Sequence, residues 1–337
     1  MGKKTGLKAI GRPLRKEYLI TFFAVFLSLL TLSHSIARTD LDPSKSSLIT
    51  MKPSMIPVEY GEVIYQYHEK KPNQLFIIGM SHRDSLTRAN GRNTSRVQAE
   101  VYKIGEWLIQ NRGLELLLPE GYFTKKTGKA IEEKVKSAIR DRNNCPTPLD
   151  METLEERLAD NKSYVNAEML LKENYPLRTR QIENEELYDS VGKNISKFVK
   201  SGKNACDYLL LKSELDDLQE RRTAAMLQRI PEIVTDEFRR GNIKERKAIL
   251  TIGMSHLHSI IKYLNENRIK IYSPLLASNK KEDYVAEMNL IKENFGVSVI
   301  LPKTLLEDQK ILEINRLDKM IIDLRRPSLD ISSAASP

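Results

Sequence analysis

The sequence predicts an α/β fold with a central mixed or mostly parallel sheet and a large helical insertion. Three observations carry that prediction. Apolar runs at Gln74–Ile78 and Leu114–Leu118 flank an amphipathic stretch, Val97–Gln110, in the order and spacing of a βαβ unit. The segment Ile77-Ile78-Gly79-Met80-Ser81-His82 returns as Thr251-Ile252-Gly253-Met254-Ser255-His256, identical at five of six positions, each copy following an apolar run and preceding a helical pattern. Between the two copies, from Lys125 to about Arg240, the pattern is mostly helical and strongly charged.

Taken in order, the chain opens on a cationic flank. Lys3, Lys4, Lys8, Arg12, Arg15 and Lys16 stand against Glu17, a net charge of +5, and residues 18–37 carry no formal charge. Tyr18–Leu32 is an unbroken run of apolar and small hydroxyl residues, and Ser35 and Ala37 supply small residues at the −3 and −1 positions of a cleavage point. These are the parts of a secretory signal peptide. An uncleaved anchor is the other reading of residues 18–37, because His34–Ala37 lengthens an apolar core that is otherwise short for a span of about 20 residues. Both readings export the chain to a periplasmic or other extracytoplasmic space, and membrane contact is confined to this segment.

Residues 38–56 mix Ser, Pro and charge and read as a linker. The domain follows over 57–325. Val63–His68 alternates as a strand, Gln74–Ile78 is a buried strand ending at Gly79, and Val97–Gln110 places apolar residues at 97, 101, 104, 107 and 108 on one helix face. Leu114–Leu118 is a second buried strand, closed by Pro119-Glu120-Gly121. The helical insertion spans about 125–245, broken by Tyr175-Pro176 and a strand-like Leu177–Ile182 that ends in Glu183. Ala248–Ile252, Ile269–Tyr272 and Val297–Leu301 read as further strands, His258–Asn265 and segments near 304–324 as helices, and 326–337 as a frayed tail.

Length and composition fit a globular chain able to bury its own core: 337 residues, 40% hydrophobic and 29% charged. The formal charge of +9 invites a nucleic-acid reading, but more than half of it lies in the first 17 residues. The rest has no long basic run with interleaved aromatics, so the electrostatic footprint of nucleic-acid binding is missing. The two cysteines, Cys145 and Cys206, form no Cys-x-x-Cys pattern; in an oxidising compartment they either pair or stay as separate thiols.

The repeated Gly-Met-Ser-His segment is the strongest chemical signal. Glycine lets a chain turn at the end of a strand, and the groups that follow face the crevice where open α/β sheets bind ligands. If the two strands are neighbours, His82 and His256 meet. Paired imidazoles suit metal binding or acid–base work. Glu120, at the end of its own strand, belongs to the same edge, where a carboxylate can ligate a divalent metal or act as general base on water. Glu183 repeats the strand-then-acid pattern more weakly. His258 lies on the following helix, and His68 has no second histidine at helical spacing. Ser81 and Ser255 stand outside any Gly-x-Ser-x-Gly pattern.

Four stretches together, IIGMSH at 77–82, LLLPE at 116–120, LQERRTAAM at 218–226 and TIGMSHLHSIIKYL at 251–264, resemble the TraB/GumN/Tiki group of the EreA/ChaN-like superfamily. The resemblance covers about residues 60–305. It implies a duplicated α/β core with a helical insertion and a metal-dependent hydrolase, proteolytic in some members, which with the N-terminal export segment reads as an exported enzyme acting on a peptide or small molecule. It assigns metal-ligand or catalytic roles to His82, Glu120 and His256, and places the family's helix arginine on Arg221, where it can hold a substrate carboxylate or a polarised carbonyl oxygen. The cofactor implied is a divalent metal ion. With His82, Glu120 and His256 as ligands, Glu120 or Glu183 would take the proton, and the sequence leaves those two roles open. Two positions depart from the family pattern: Met80 stands where threonine is usual, and Arg222 where asparagine is. A non-catalytic protein that binds haem, a peptide or a small molecule in the same crevice is the alternative, since paired histidines also ligate iron.

Overall fold

The apolar runs become strands of one six-stranded sheet in a computed structural model that describes residues 56–82, 91, 93–123, 149–160, 165–201, 205–271 and 284–325. The expected signal segment, the linker up to residue 55, Cys145, the start of the insertion and the tail lie outside the described residues. Among the described residues no helix is long and apolar enough to cross a membrane.

The sheet contains β1 (Gly61–Tyr67), β2 (Asn73–Met80), β3 (Leu116–Pro119), β4 (Arg178–Thr179), β5 (Lys247–Gly253) and β8 (Phe295–Pro302), in the order β1-β8-β2-β5-β3-β4. Only β1 runs antiparallel to its neighbour; β8, β2, β5, β3 and β4 are mutually parallel. The sheet is therefore mixed and mostly parallel, as the sequence predicts. Every residue of β2 and of β8 is buried, so both faces of the sheet centre are covered. Leu75, Ile77, Ile78, Ile249, Leu250, Val297 and Ile300 are fully enclosed there, each burial stabilising the fold by roughly 1.5–3 kcal/mol.

The expected βαβ unit is present as β2, α1 (Thr94–Arg112) and β3. β5, more than a hundred residues later in the chain, is inserted between the two strands. Helix α1 buries Val97, Val101, Ile104 and Leu108, and ends at Gly113, whose φ of 63° closes the helix with a bond from its N–H to the Ile109 carbonyl. After β3 come α2 (Met151–Ala159) and α3 (Ala167–Asn174), then β4, then α4 (Glu185–Ser201) and the 35-residue α5 (Ala205–Arg239). The strand expected at Leu177–Ile182 is thus reduced to the two residues of β4 at the sheet edge. Its flanking arginines hold it to the end of α5: Arg178 Nε lies 3.3 Å and Arg180 Nη1 2.6 Å from the buried carboxylate of Glu237.

Helix α6 (Met254–Glu266) follows β5 directly. The strand expected at Ile269–Tyr272 forms as β6 (Arg268–Ile271) but stays out of the main sheet, pairing antiparallel with β7 (Tyr284–Glu287) in a separate ladder. The short α7 (Asn289–Lys292) leads into β8, and α8 (Lys303–Glu307), α9 (Gln309–Ile314) and α10 (Asp318–Arg325) close the chain.

Candidate functional site

Parallel strands end at one edge of a sheet, and this edge collects the site. β2 leads to His82, β3 to Glu120, β4 to Glu183 and β5 to His256. The two histidines reach the same carboxylate: His82 Nε2 lies 3.4 Å from Glu120 Oε2, and His256 Nε2 lies 3.3 Å from Glu120 Oε1. The three residues read from the sequence as metal ligands therefore converge. Glu183 lies one step deeper, fully buried, and joins the cluster through Arg222.

The echo in sequence is not an echo in environment. Met80 pairs with Gly253 across β2 and β5, so the two motifs are staggered by one residue. His82 sits in an irregular segment two residues beyond β2, with 44% of its side chain exposed. His256 sits in the first turn of α6 and is buried. The two glycines also differ in purpose. A Cβ at Gly79 would come within 2.6 Å of both Leu257 Cδ1 and Leu301 Cδ2, so this glycine serves core packing inside β2 rather than a turn. A Cβ at Gly253 would stand 3.1 Å from Glu120 Oε2 and 3.4 Å from His82 Nε2, and the Gly253 N–H donates to Glu120 Oε2 at 2.5 Å. This second glycine is part of the floor of the site.

Helix α5 forms the inner wall. Arg221 and Arg222 are adjacent, and only Arg222 turns inward. Arg221 Nε pairs with Asp217 Oδ2 at 2.7 Å, one turn earlier on the same helix, whereas the hydrogen bonds to Glu120, Glu183 and His256 come from Arg222. Each N–H of the Arg222 guanidinium has an acceptor. Nε donates to Glu183 Oε2 at 3.0 Å, Nη2 to Glu183 Oε1 and to Glu120 Oε1 at 2.7 Å, and Nη1 to Gln219 Oε1 and His256 Nε2, both at 3.4 Å. Five donors meet five acceptors.

That count closes with His256 neutral, and the other ring nitrogen agrees. Thr223 Oγ1 donates to the Gln219 carbonyl at 2.8 Å, which leaves the hydroxyl oxygen as acceptor toward His256 Nδ1 at 2.6 Å. The network thus assigns the Nδ1–H tautomer, with the single Nε2 lone pair turned to Arg222. Tyr188 lies over the guanidinium, its ring centroid 5.0 Å from Arg222 Cζ, and Phe123 packs edge-on against Tyr188 at 4.8 Å. Arg229, two turns along α5, donates to the carbonyls of Ile182 and Glu183 at 3.0 and 2.7 Å and so fixes the segment that presents Glu183.

A second buried acid stands near. Glu168, in the first turn of α3, accepts from Thr251 Oγ1 and from Asn166 Nδ2, both at 2.6 Å. Gln98 connects this region to the first motif, donating to the Ser81 carbonyl at 2.7 Å and accepting from Ala167 N at 2.9 Å. Glu168, Thr223, Gln219 and Gln98 were not read as site residues from the sequence. Among the described residues neither Ser81 nor Ser255 is hydrogen-bonded to an imidazole, and His258 Nδ1 faces the Arg316 carbonyl at 3.2 Å.

Charge sets the protonation pattern. Arg222 offsets one of the two carboxylates, Glu120 and Glu183, so with neutral imidazoles one negative charge remains. Burial alone would depress the pKa of His82; the hydrogen bond and charge of Glu120, aided by the charge of Glu168, outweigh it and raise the value. Burial pushes Glu120 up, and pairing with charged His256 and His82 would outweigh that and hold it below the usual carboxylate range; with His256 neutral, as its contact with Arg222 requires, the lowering falls to His82. Burial pushes Glu168 up.

The divalent ion implied by the resemblance would take His82, Glu120 and His256. Separations of 3.3 and 3.4 Å suit donors about 2.0–2.2 Å from a shared ion. The lone pairs do not suit it: an imidazole nitrogen has one, and that of His256 Nε2 is used by Arg222, as is one on Glu120 Oε1. As arranged, the donor set does not fit the ion, and among the described residues no group of three or more His, Cys, Asp or Glu is disposed to hold a metal. No protein-family model, no characterised protein and no solved structure matches this chain.

Proposed function

We propose that the chain is an exported hydrolase of peptide or small-molecule substrates, with His82 as its acid–base group and Glu120 as the carboxylate that orients it. In this reading the two Gly-Met-Ser-His segments descend from a duplicated strand–helix unit of an EreA/ChaN-like core. The observation that carries the proposal is the convergence of both motif histidines on Glu120, with His82 alone substantially open to solvent.

The chemistry follows from that arrangement. With Nε2 of His82 turned to Glu120, Nδ1 is the atom left to exchange a proton. As general base it takes a proton from water; the hydroxide adds to the substrate carbonyl; the proton then passes to the departing amine or alkoxide as the scissile bond breaks. Glu120 favours the imidazolium formed midway, which is the direction in which the pKa of His82 is displaced. The buried Arg222, itself anchored by Glu183, and the Gly253 N–H hold Glu120 in place from behind.

The test is a panel of chromogenic esters and fluorogenic peptides with the purified full-length chain beside His82→Ala and Glu120→Gln. The expected result is turnover by the wild type and a loss in kcat of about 10²–10⁴ on removing His82. Turnover that survives both substitutions would sink the assignment. Ligands that raise the melting temperature without being turned over would favour the non-catalytic binding reading.

A further inference from the structure

We propose that Arg222 is the resident cation of this site, standing where a divalent ion would otherwise bind and keeping His256 from serving as a metal ligand. The inference rests on the hydrolytic reading only for its relevance to catalysis; the binding claim stands on geometry alone. Four features lead to it. His256 Nε2 has one lone pair, and Arg222 Nη1 faces it at 3.4 Å. Glu120 Oε1, the carboxylate oxygen nearest His256, accepts from Arg222 Nη2 at 2.7 Å. The remaining guanidinium donors are tied to Glu183 and Gln219, so the side chain cannot swing aside without stripping Glu183 of its cation in the interior, with the Gly121 N–H left as its donor. Thr223 then holds the His256 ring in the orientation that aims Nε2 at the guanidinium.

A metal ion entering between His256 and Glu120 would have to displace a buried cation that is already fully hydrogen-bonded. Its attraction to the two carboxylates would be countered by repulsion from the guanidinium they retain. The same atoms become a metal site once the guanidinium is removed. His256 Nε2 and Glu120 Oε1 then present unshared lone pairs, His82 can join them by giving up its Nε2 proton, and Glu183 stands behind as an additional uncompensated carboxylate.

The experiment is a titration of the full-length chain with Zn²⁺ and, separately, Mn²⁺, followed calorimetrically and by melting temperature without substrate. Wild type, His256→Ala, Arg222→Met and the double variant Arg222→Met/His256→Ala are compared. The expected result is that wild type and His256→Ala bind both metals alike. Arg222→Met should gain a site at least tenfold tighter, with a melting temperature that rises on adding metal, and the double variant should lose that gain. One equivalent of metal bound by wild type and lost in His256→Ala would overturn the proposal, as would a folded Arg222→Met with no gain in affinity. Should Arg222→Met not fold, the comparison of wild type with His256→Ala decides the matter alone. Because no substrate is present, failure here is separable from failure of the hydrolytic reading, which the ester and peptide panel tests.

Discussion

Arg221 and Arg222 stand one position apart on the same helix, about 100° around its axis, and that rotation gives them unrelated environments. Arg221 meets Asp217 one turn away, a pair of the kind worth under about 1 kcal/mol. Arg221→Ala should lower activity and stability less than loss of Arg222 does, read by denaturant unfolding beside a substrate assay. Loss of Arg222 strands the buried Glu183 and should cost about 3–5 kcal/mol in metal-free buffer. The pair of His82 and Glu120 carries a pH dependence with a definite sign. His82 has a raised pKa, so its contribution to stability is complete below its ordinary value of 6.5 and is lost as pH rises through the folded value. Glu120 has a lowered pKa, so its contribution is present above its ordinary 4.5 and is lost as pH falls through the folded value. The window common to both lies between about 4.5 and 6.5. The melting-temperature gap between wild type and His82→Ala should thus be wider at about pH 5.5 than at about pH 8.5. A gap that widens on going alkaline would contradict the pairing.

At the scale of elements, the repeated glycine makes a sharper test than either histidine. Gly79→Ala forces a methyl against Leu257 and Leu301 at 2.6 Å, an overpacking that should cost about 1–3 kcal/mol. Gly253 has φ −62° and ψ 146°, which alanine adopts without strain. Its methyl would meet Glu120 and His82, so Gly253→Ala should depress kcat more than it depresses stability. Thermal unfolding and turnover measured on both variants check the contrast; equal effects would mean that the two glycines do the same job. Helix α5 shows how an element can advertise its inward face. Thr223, Leu227, Ile230 and Val234 are buried at spacings of three and four, and Arg222, Met226 and Ile230 extend the same stripe. Followed one turn toward the N-terminus, that stripe passes through 222 and 223 rather than 221, a signal available in the sequence.

For the whole molecule, stability should be distributed from the sheet centre outward. β2, β5 and β8 are flanked on both sides by other strands and are almost wholly buried, whereas β4 contributes two pairs at one edge and β6–β7 forms a detached ladder. Native-state hydrogen exchange should find the slowest amides in β2, β5 and β8, opening only by global unfolding, and faster local opening in β4 and in β6–β7. Uniform protection across all strands would show that the edges are as firmly held as the centre. The site straddles this gradient: Gly253 and His256 come directly off a central strand, whereas Glu183 follows the weakest one and depends on Arg222 and Arg229 for its place.

The sequence alone determined the α/β class, the strands at 74–78, 114–118, 248–252 and 297–301, and the grouping of His82, Glu120 and His256. It could do so because continuous apolar runs mark buried strands, and parallel strands necessarily bring the residues at their carboxyl ends to one edge. Tertiary structure alone decided that β5 lies between β2 and β3, and that Ile269 belongs to a separate ladder, since strand order depends on contacts between distant segments. It also decided that Glu168 joins the site and which acids Arg222 meets, because the partners of an inward helix face are set by the elements it packs against. The lone pair of His256 is the clearest case: the residue is legible from its motif, but its partner is a guanidinium 34 positions away, and only the folded chain brings the two within 3.4 Å.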